Sequence, residues 1–200
     1  MIDMTISTVI SMTLESARKI FEKKCNDYGT SWRILRTISI VDQVFIKATR
    51  IETVLKNGVQ KVNGTGDDIA SEFLGIINYG LIGLIQNKHN EMKPGDASMT
   101  TNEAKSNYVH EFILFKDYFE SQNPHYVEGI ENLAITDISD MLVVKITRMK
   151  SFHKNYEERA KDCKSIEKLT HEFKVLIFGA FLDIILWSSI GHTKIDKAVQ

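Results

Sequence analysis

The chain is short of proline, of cysteine and of any excess of one charge. Two prolines and 11 glycines in 200 residues leave long stretches without breakers, which favours helices over a turn-punctuated strand fold. The two cysteines, Cys25 and Cys163, show no Cys-x-x-Cys and no histidine spacing around them, which excludes a disulfide framework and a zinc site. They read as reduced thiols of a cytoplasmic protein. Lys and Arg number 25 against 26 Asp and Glu, so the basic excess of a dedicated nucleic-acid surface is missing. His89, His110, His153, His171 and His192 have no metal spacing. Long apolar runs are missing too. Phe173 to Ile190 is the most apolar stretch, but Lys174 and Asp183 interrupt it and it is too short to span a bilayer. The first residues lack the basic start and apolar stretch of a secretory signal. The expectation is a soluble, intracellular protein with no membrane partner.

What is present is a repeat. Ile40-Val-Asp42-Gln-Val-Phe-Ile-Lys47-Ala-Thr49-Arg50-Ile51 returns as Ile138-Ser-Asp140-Met-Leu-Val-Val-Lys145-Ile-Thr147-Arg148-Met149, 98 residues later. At the same offset Tyr28 falls on Tyr126, and at an offset of 100 Glu72-Phe73 falls on Glu172-Phe173. Three matched segments in one order point to internal duplication. Apolar residues recur at helical spacing over Thr13–Asn26, Val41–Lys56 and Asp68–Gln86, then over Glu103–Glu120, Ile138–Glu157 and Ile166–Ser188. The expected fold is therefore all-α: a helical bundle of two tandem, internally duplicated antiparallel three-helix units. Residues 1–90 form the first repeat, and 91–200 hold a linker and a degenerate second repeat. A unit of that size buries too little surface to stand alone, so the two are expected to pack as one domain.

Several side chains have two readings each. Ser39-x-x-Asp42 and Asp137-x-x-Asp140 look like helix N-caps followed by an acid at the positive end of the helix. Lys47 and Arg50, repeated as Lys145 and Arg148, lie close together on a helix and can grip one anion or form a solvated face. Arg33 and Arg36 precede them. Glu72 sits within an apolar stripe, where a carboxylate needs a metal or a cation such as Arg50 to offset its desolvation. That stripe, Glu72, Gly75, Ile76, Tyr79 and Gly83, carries two glycines, each costing about 1 kcal/mol against alanine. Close approach of another helix or a ligand is the expected compensation. Gly29 is expected to supply a left-handed cap to the first helix. Tyr28 and Trp32 can seal a helix junction or stack on a base, and Asn78-Tyr79 has the same ambiguity.

Taken together, Asp27-Tyr-Gly29-Thr-Ser-Trp32-Arg33-Ile-Leu-Arg36, Ser39-x-x-Asp42-Gln, Lys47-Ala-x-Arg50-Ile and Glu72-Phe-x-Gly-Ile-x-Asn78-Tyr79 resemble the nucleotide-modification-associated domain 1 family. These are small helical proteins of bacteria and phages, and the resemblance runs from about Cys25 to Gln86. It suggests a relationship to MazG-like all-α nucleoside triphosphate pyrophosphohydrolases. It implies a magnesium-dependent hydrolase of modified nucleotides. In that reading Asp27, Asp42 and Glu72 are catalytic, with Asp42 and Glu72 as Mg2+ ligands. Arg33, Arg36, Lys47 and Arg50 would hold phosphates, while Tyr28, Trp32, Asn78 and Tyr79 would meet the base. The alternatives are a non-catalytic nucleotide-binding accessory or sensor in DNA-base modification, and a structural interaction module. The expected partner is a nucleotide or small phosphate ligand, with a homo-oligomer allowed. The second copy has His125 for Asp27, Val127 for Gly29, Ile130 for Trp32, Glu131 for Arg33 and Phe178-Gly179 for Asn78-Tyr79. The first copy is thus the expected active half.

Overall fold

Ile10, Leu14, Ala17, Phe21 and Cys25 follow one another at three- and four-residue steps, and all five are buried. They form the inward stripe of the first helix, α1 (Ile6–Tyr28). The computed structural model describes residues 6–57, 69–92, 96–130, 135–154, 167–168 and 170–180. Helix α1 stops at Gly29, whose φ of +62° lies in the left-handed region and whose N–H donates to the Cys25 carbonyl at 2.9 Å. The expected cap is therefore present. A 3-10 turn, Ser31–Ile34, leads into α2 (Thr37–Asn57), which buries Ile40, Val41, Val44, Ala48 and Ile51.

Helix α3 (Ile69–Met92) is apolar around most of its circumference, which makes it the central element. By length and composition its stretch Ile69–His89 could cross a membrane, but 83% of that apolar window is buried inside the fold. Helix α4 (Thr101–Ile130) opens with a capping box: the Glu103 carboxylate accepts from the Thr100 N–H at 2.7 Å, and the Thr100 hydroxyl accepts from the Glu103 N–H at 3.2 Å. Its inward stripe is Ala104, Tyr108, Phe115 and Phe119. Helix α5 (Ile135–Lys154) follows, and residues 170–180 are again helical.

Among the described residues every regular element is a helix, so the all-α expectation holds. Helix α2 packs on α3 and on α5, while α1 and α4 pack on each other and on α3. The segment 170–180 closes against α3, where an added Cβ at Gly83 would come 2.4 Å from the Phe173 ring and one at Gly80 2.3 Å from Ile177. Both glycines admit the neighbouring helix, and at Gly83 this is the first of the two compensations expected from the sequence. Phe119 meets Phe178 at 4.7 Å between ring centres, which ties α4 to the same segment. Each fully buried phenylalanine adds about 2 kcal/mol from apolar burial.

Helices α1 to α4 are longer than the periodicity indicated, and this changes one reading. Helix α2 begins at Thr37, so Ser39 is inside its first turn and Asp42 lies beyond the capping position. Asp42 instead pairs with Lys150 of α5 at 2.9 Å, and Lys150 also lies over the Phe45 ring at 4.3 Å. Asp137 and Asp140 are both exposed near the start of α5. The Tyr126 side chain and the Gly58–Gly66 connection lie outside the described residues.

Candidate functional site

A cleft of about 600 Å³ opens between the C-terminal half of α1, the 3-10 turn and one face each of α2 and α3. From α3 it takes Ser71, Glu72, Gly75, Asn78, Tyr79 and Ile82, a spacing that keeps all six on one side of the helix. From α2 it takes Lys47 and Arg50, three residues apart on the same face. Helix α1 and the turn after it supply Ile20, Phe21, Lys23, Lys24, Cys25, Asp27, Tyr28, Gly29, Ser31 and Trp32. The cleft thus gathers Asp27, Tyr28, Trp32, Lys47, Arg50, Glu72, Asn78 and Tyr79 out of the residues singled out in the sequence.

Its charged end is organised around Glu72, which is only 5% exposed. Lys47 Nζ stands 2.8 Å from Oε2 and Arg50 Nη1 donates to Oε1 at 3.3 Å. The lysine contact is an ion pair by distance without hydrogen-bond geometry, which leaves Oε2 with no hydrogen-bond donor. A carboxylate this buried loses several kcal/mol of hydration, which two cations offset. Gly75 makes the approach possible: an added Cβ there would lie 3.0 Å from Lys47 Cε and 3.1 Å from Cδ. The lysine stem crosses α3 over the bare glycine. In the second half Lys145 stands 3.6 Å from Glu172, at the matching repeat positions, and Arg148 is exposed.

The other end is aromatic and amide-lined. Asn78 lies six residues beyond Glu72, about 9 Å along the α3 axis. Phe21 stacks on Tyr108 with ring centres 4.0 Å apart and meets Trp32 at 6.4 Å. The Tyr108 hydroxyl donates to Asn78 Oδ1 at 2.7 Å. Asn78 Nδ2 is buried without a hydrogen-bond partner, although Asn78 lines the cleft, and the Trp32 side chain is directed to the Cys25 sulfur. Burial pushes the Tyr79 phenol above its ordinary range, so it stays neutral and can donate. Burial also pushes the Cys25 thiol up, partly offset by the Trp32 side chain, which disfavours the nucleophilic thiolate. At the mouth, Asp27 and Tyr28 are exposed, and Lys24 Nζ lies 5.3 Å from the Tyr28 ring centre.

Three expected site residues are not in this lining. Arg33 is 3% exposed and turned away from the cleft. Its guanidinium donates to Gln86 Oε1 and to the Asp96 carbonyl, while Gln86 Nε2 donates back to the carbonyls of Arg33 and Leu35 at 3.1 and 3.0 Å. Burial lowers the affinity of Arg33 for its proton, with Asp96 opposing. A 3-10 turn has about three residues per turn, so Trp32 and Arg33 leave it in different directions. Arg36 is exposed beside the start of α2, and Asp42 faces Lys150.

The magnesium set built on Asp42 and Glu72 is therefore not assembled. The carboxylates lining the cleft are Asp27 and Glu72, and Glu72 already carries two cations. Three residues after Glu72, where a second acid would complete a chelating pair, stands Gly75 with the Lys47 stem over it. Among the described residues no three His, Cys, Asp or Glu side chains converge as a metal site. The donor chemistry does not fit a divalent cation held by the protein alone, since such ions need several oxygen ligands.

Phe21, Lys23, Lys24, Ser71 and Tyr108 belong to the cleft or its support, yet were not singled out in the sequence. The Lys23-Lys24 pair beside Cys25 was a readable signal of an anion-facing edge. Tyr108 had none, because it reaches Asn78 from α4, 30 residues away. No curated protein and no solved structure matches the chain. Residues 24–86, which hold all of the cleft lining except Ile20, Phe21 and Lys23, match the family model described as nucleotide modification associated domain 1.

Proposed function

We propose that the cleft binds a nucleotide, with phosphates at the Lys47–Arg50 end and the base at the Trp32–Asn78–Tyr79 end. The observation that carries this reading is the order of groups along one face of α3. Cations gather around Glu72, and the unpaired Asn78 N–H with aromatic rings lies six to seven residues further on. Lys23 and Lys24 add positive charge, so four cationic side chains face two carboxylates in the lining. Charge-assisted bonds from Arg50 and Lys47 suit phosphate oxygens, and the aromatic faces suit a base. The description of the matched family, nucleotide modification, agrees with a nucleotide ligand and favours a modified or non-standard one.

Binding without a protein-held metal is the form this donor set supports best. Hydrolysis is a second reading, favoured by Asp27 at the same mouth as the cations, where its carboxylate would orient a water toward a bound phosphate. The repeat in the sequence, together with the matching Lys47–Glu72 and Lys145–Glu172 pairs, supports descent of the two halves from one ancestor. Calorimetric titration with deoxynucleoside triphosphates, with and without magnesium, tests the reading. Saturable binding that Lys47→Ala and Arg50→Ala each weaken about tenfold is expected. Phosphate or pyrophosphate release in the same samples would select the hydrolase. If no nucleotide binds to folded wild-type protein, the proposal fails.

A further inference from the structure

We infer that Asn78, held by Tyr108, is the specificity-determining donor of the cleft, and that it selects bases presenting an oxo group over those presenting an amino group. The inference rests on the nucleotide reading above and narrows its ligand class. Tyr108 is fully buried, and among the described residues its hydroxyl proton has Asn78 Oδ1 as acceptor, at 2.7 Å. Turning the amide over would leave that proton without an acceptor in the core, a costly arrangement. Burial also holds the phenol pKa well above its ordinary range, so Tyr108 keeps its proton and keeps donating. With Oδ1 engaged by Tyr108, the nitrogen is the end of the amide left for a ligand. Asn78 is 7% exposed, and Nδ2 has no partner.

A buried N–H without a partner is a deficit that a ligand acceptor repairs and a ligand donor worsens. The floor is thus biased toward carbonyl oxygen. Tyr108 is a positioning residue: it acts by fixing which end of the amide is left for a ligand. The Phe21 ring stacked on Tyr108 at 4.0 Å holds the phenol in place from the other side.

The test uses the full chain and matched pairs of triphosphates that differ at one edge: dUTP against dCTP, and dITP against dATP. Wild-type protein is expected to bind each oxo member at least about tenfold more tightly, with inorganic tripolyphosphate as the reference for the phosphate end. Tyr108→Phe keeps the packing and removes the hydroxyl, so the preference should shrink while tripolyphosphate affinity stays unchanged. Asn78→Asp exchanges the donor for an acceptor and should erase or reverse the preference. Equal binding of oxo and amino members, or a preference for the amino members, overturns this inference and leaves the nucleotide reading standing. Binding of no nucleotide at all removes both. The wild-type comparison decides the matter even where a variant does not fold.

Discussion

Lys47 reaches Glu72 by passing over the bare backbone of Gly75: Cε of the lysine lies 3.0 Å from where a Cβ at residue 75 would stand. The contact is with the flexible far end of a lysine, which can move by a few tenths of an ångström. Gly75→Ala should therefore leave thermal stability unchanged or raise it, since alanine gains about 1 kcal/mol over glycine within a helix. The shifted lysine should weaken tripolyphosphate binding several-fold. A melting curve and a titration on the same sample check both halves of this expectation.

Gly83→Ala should behave in the opposite way. The new methyl would meet the Phe173 ring at 2.4–2.7 Å, and a buried ring has no free end to yield. Overpacking should cost about 1–3 kcal/mol despite the better helix propensity. Adding Phe173→Leu should recover part of the loss, so the double variant should lose less than the sum of the single ones. Urea unfolding of the three proteins measures it. Additive losses would mean that residue 83 and residue 173 do not touch.

Glu72→Gln separates the ion pair from a metal ligand. Removing the carboxylate leaves Lys47 and Arg50 without their counter-charge, at side-chain exposures of 24% and 58%. Tripolyphosphate should then bind more tightly in the presence of a chelator, and the gain should fade as salt rises. A loss of binding that magnesium alone restores would point to metal ligation instead.

Arg33 fastens the turn before α2 to α3 and to the stretch before α4. Arg33→Ala should cost about 2–4 kcal/mol, because Gln86 Oε1 and the Asp96 carbonyl lose a buried donor. Tripolyphosphate affinity of the remaining folded protein should not change. Denaturant melts combined with titration distinguish this from a phosphate-gripping arginine, which would show the reverse pattern.

Alkaline pH should unfold the protein through Tyr108. Its phenol is protonated in the fold and ionises normally in the unfolded chain, so the unfolded state loses the proton first. Stability is fully present below about pH 10 and declines above it by up to about 1.4 kcal/mol per pH unit per such group. Tyr79 and Cys25, also shifted upward by burial, add to the slope. Tyr108→Phe should flatten it, as read from denaturation midpoints across the alkaline range.

Spacing alone was enough to show the helices and to put Lys47 beside Arg50 and Glu72 beside Gly75 and Tyr79, because residues three, four and seven apart share a helix face. What it could not show was anything settled between elements. Arg33 follows Trp32 directly, yet a 3-10 turn sends the two apart. Asp42 had the look of a cap until α2 proved to start at Thr37 and α5 to offer Lys150. The pairing of Glu72 with Arg50 was open in the sequence as one of two readings. Lys47 as its closer partner depended on the gap at Gly75, a matter of shape.

The partnership of Tyr108 with Asn78 also has a practical consequence for anyone trimming this protein. A fragment cut to residues 24–86 would retain most of the lining yet leave behind the phenol, its stacking ring and the whole of α4. The asparagine in such an excised piece would be free to spin, and any discrimination measured on it would belong to the fragment. Grafting this recognition face onto another scaffold therefore requires a donor hydroxyl imported from beyond the boundary that similarity draws.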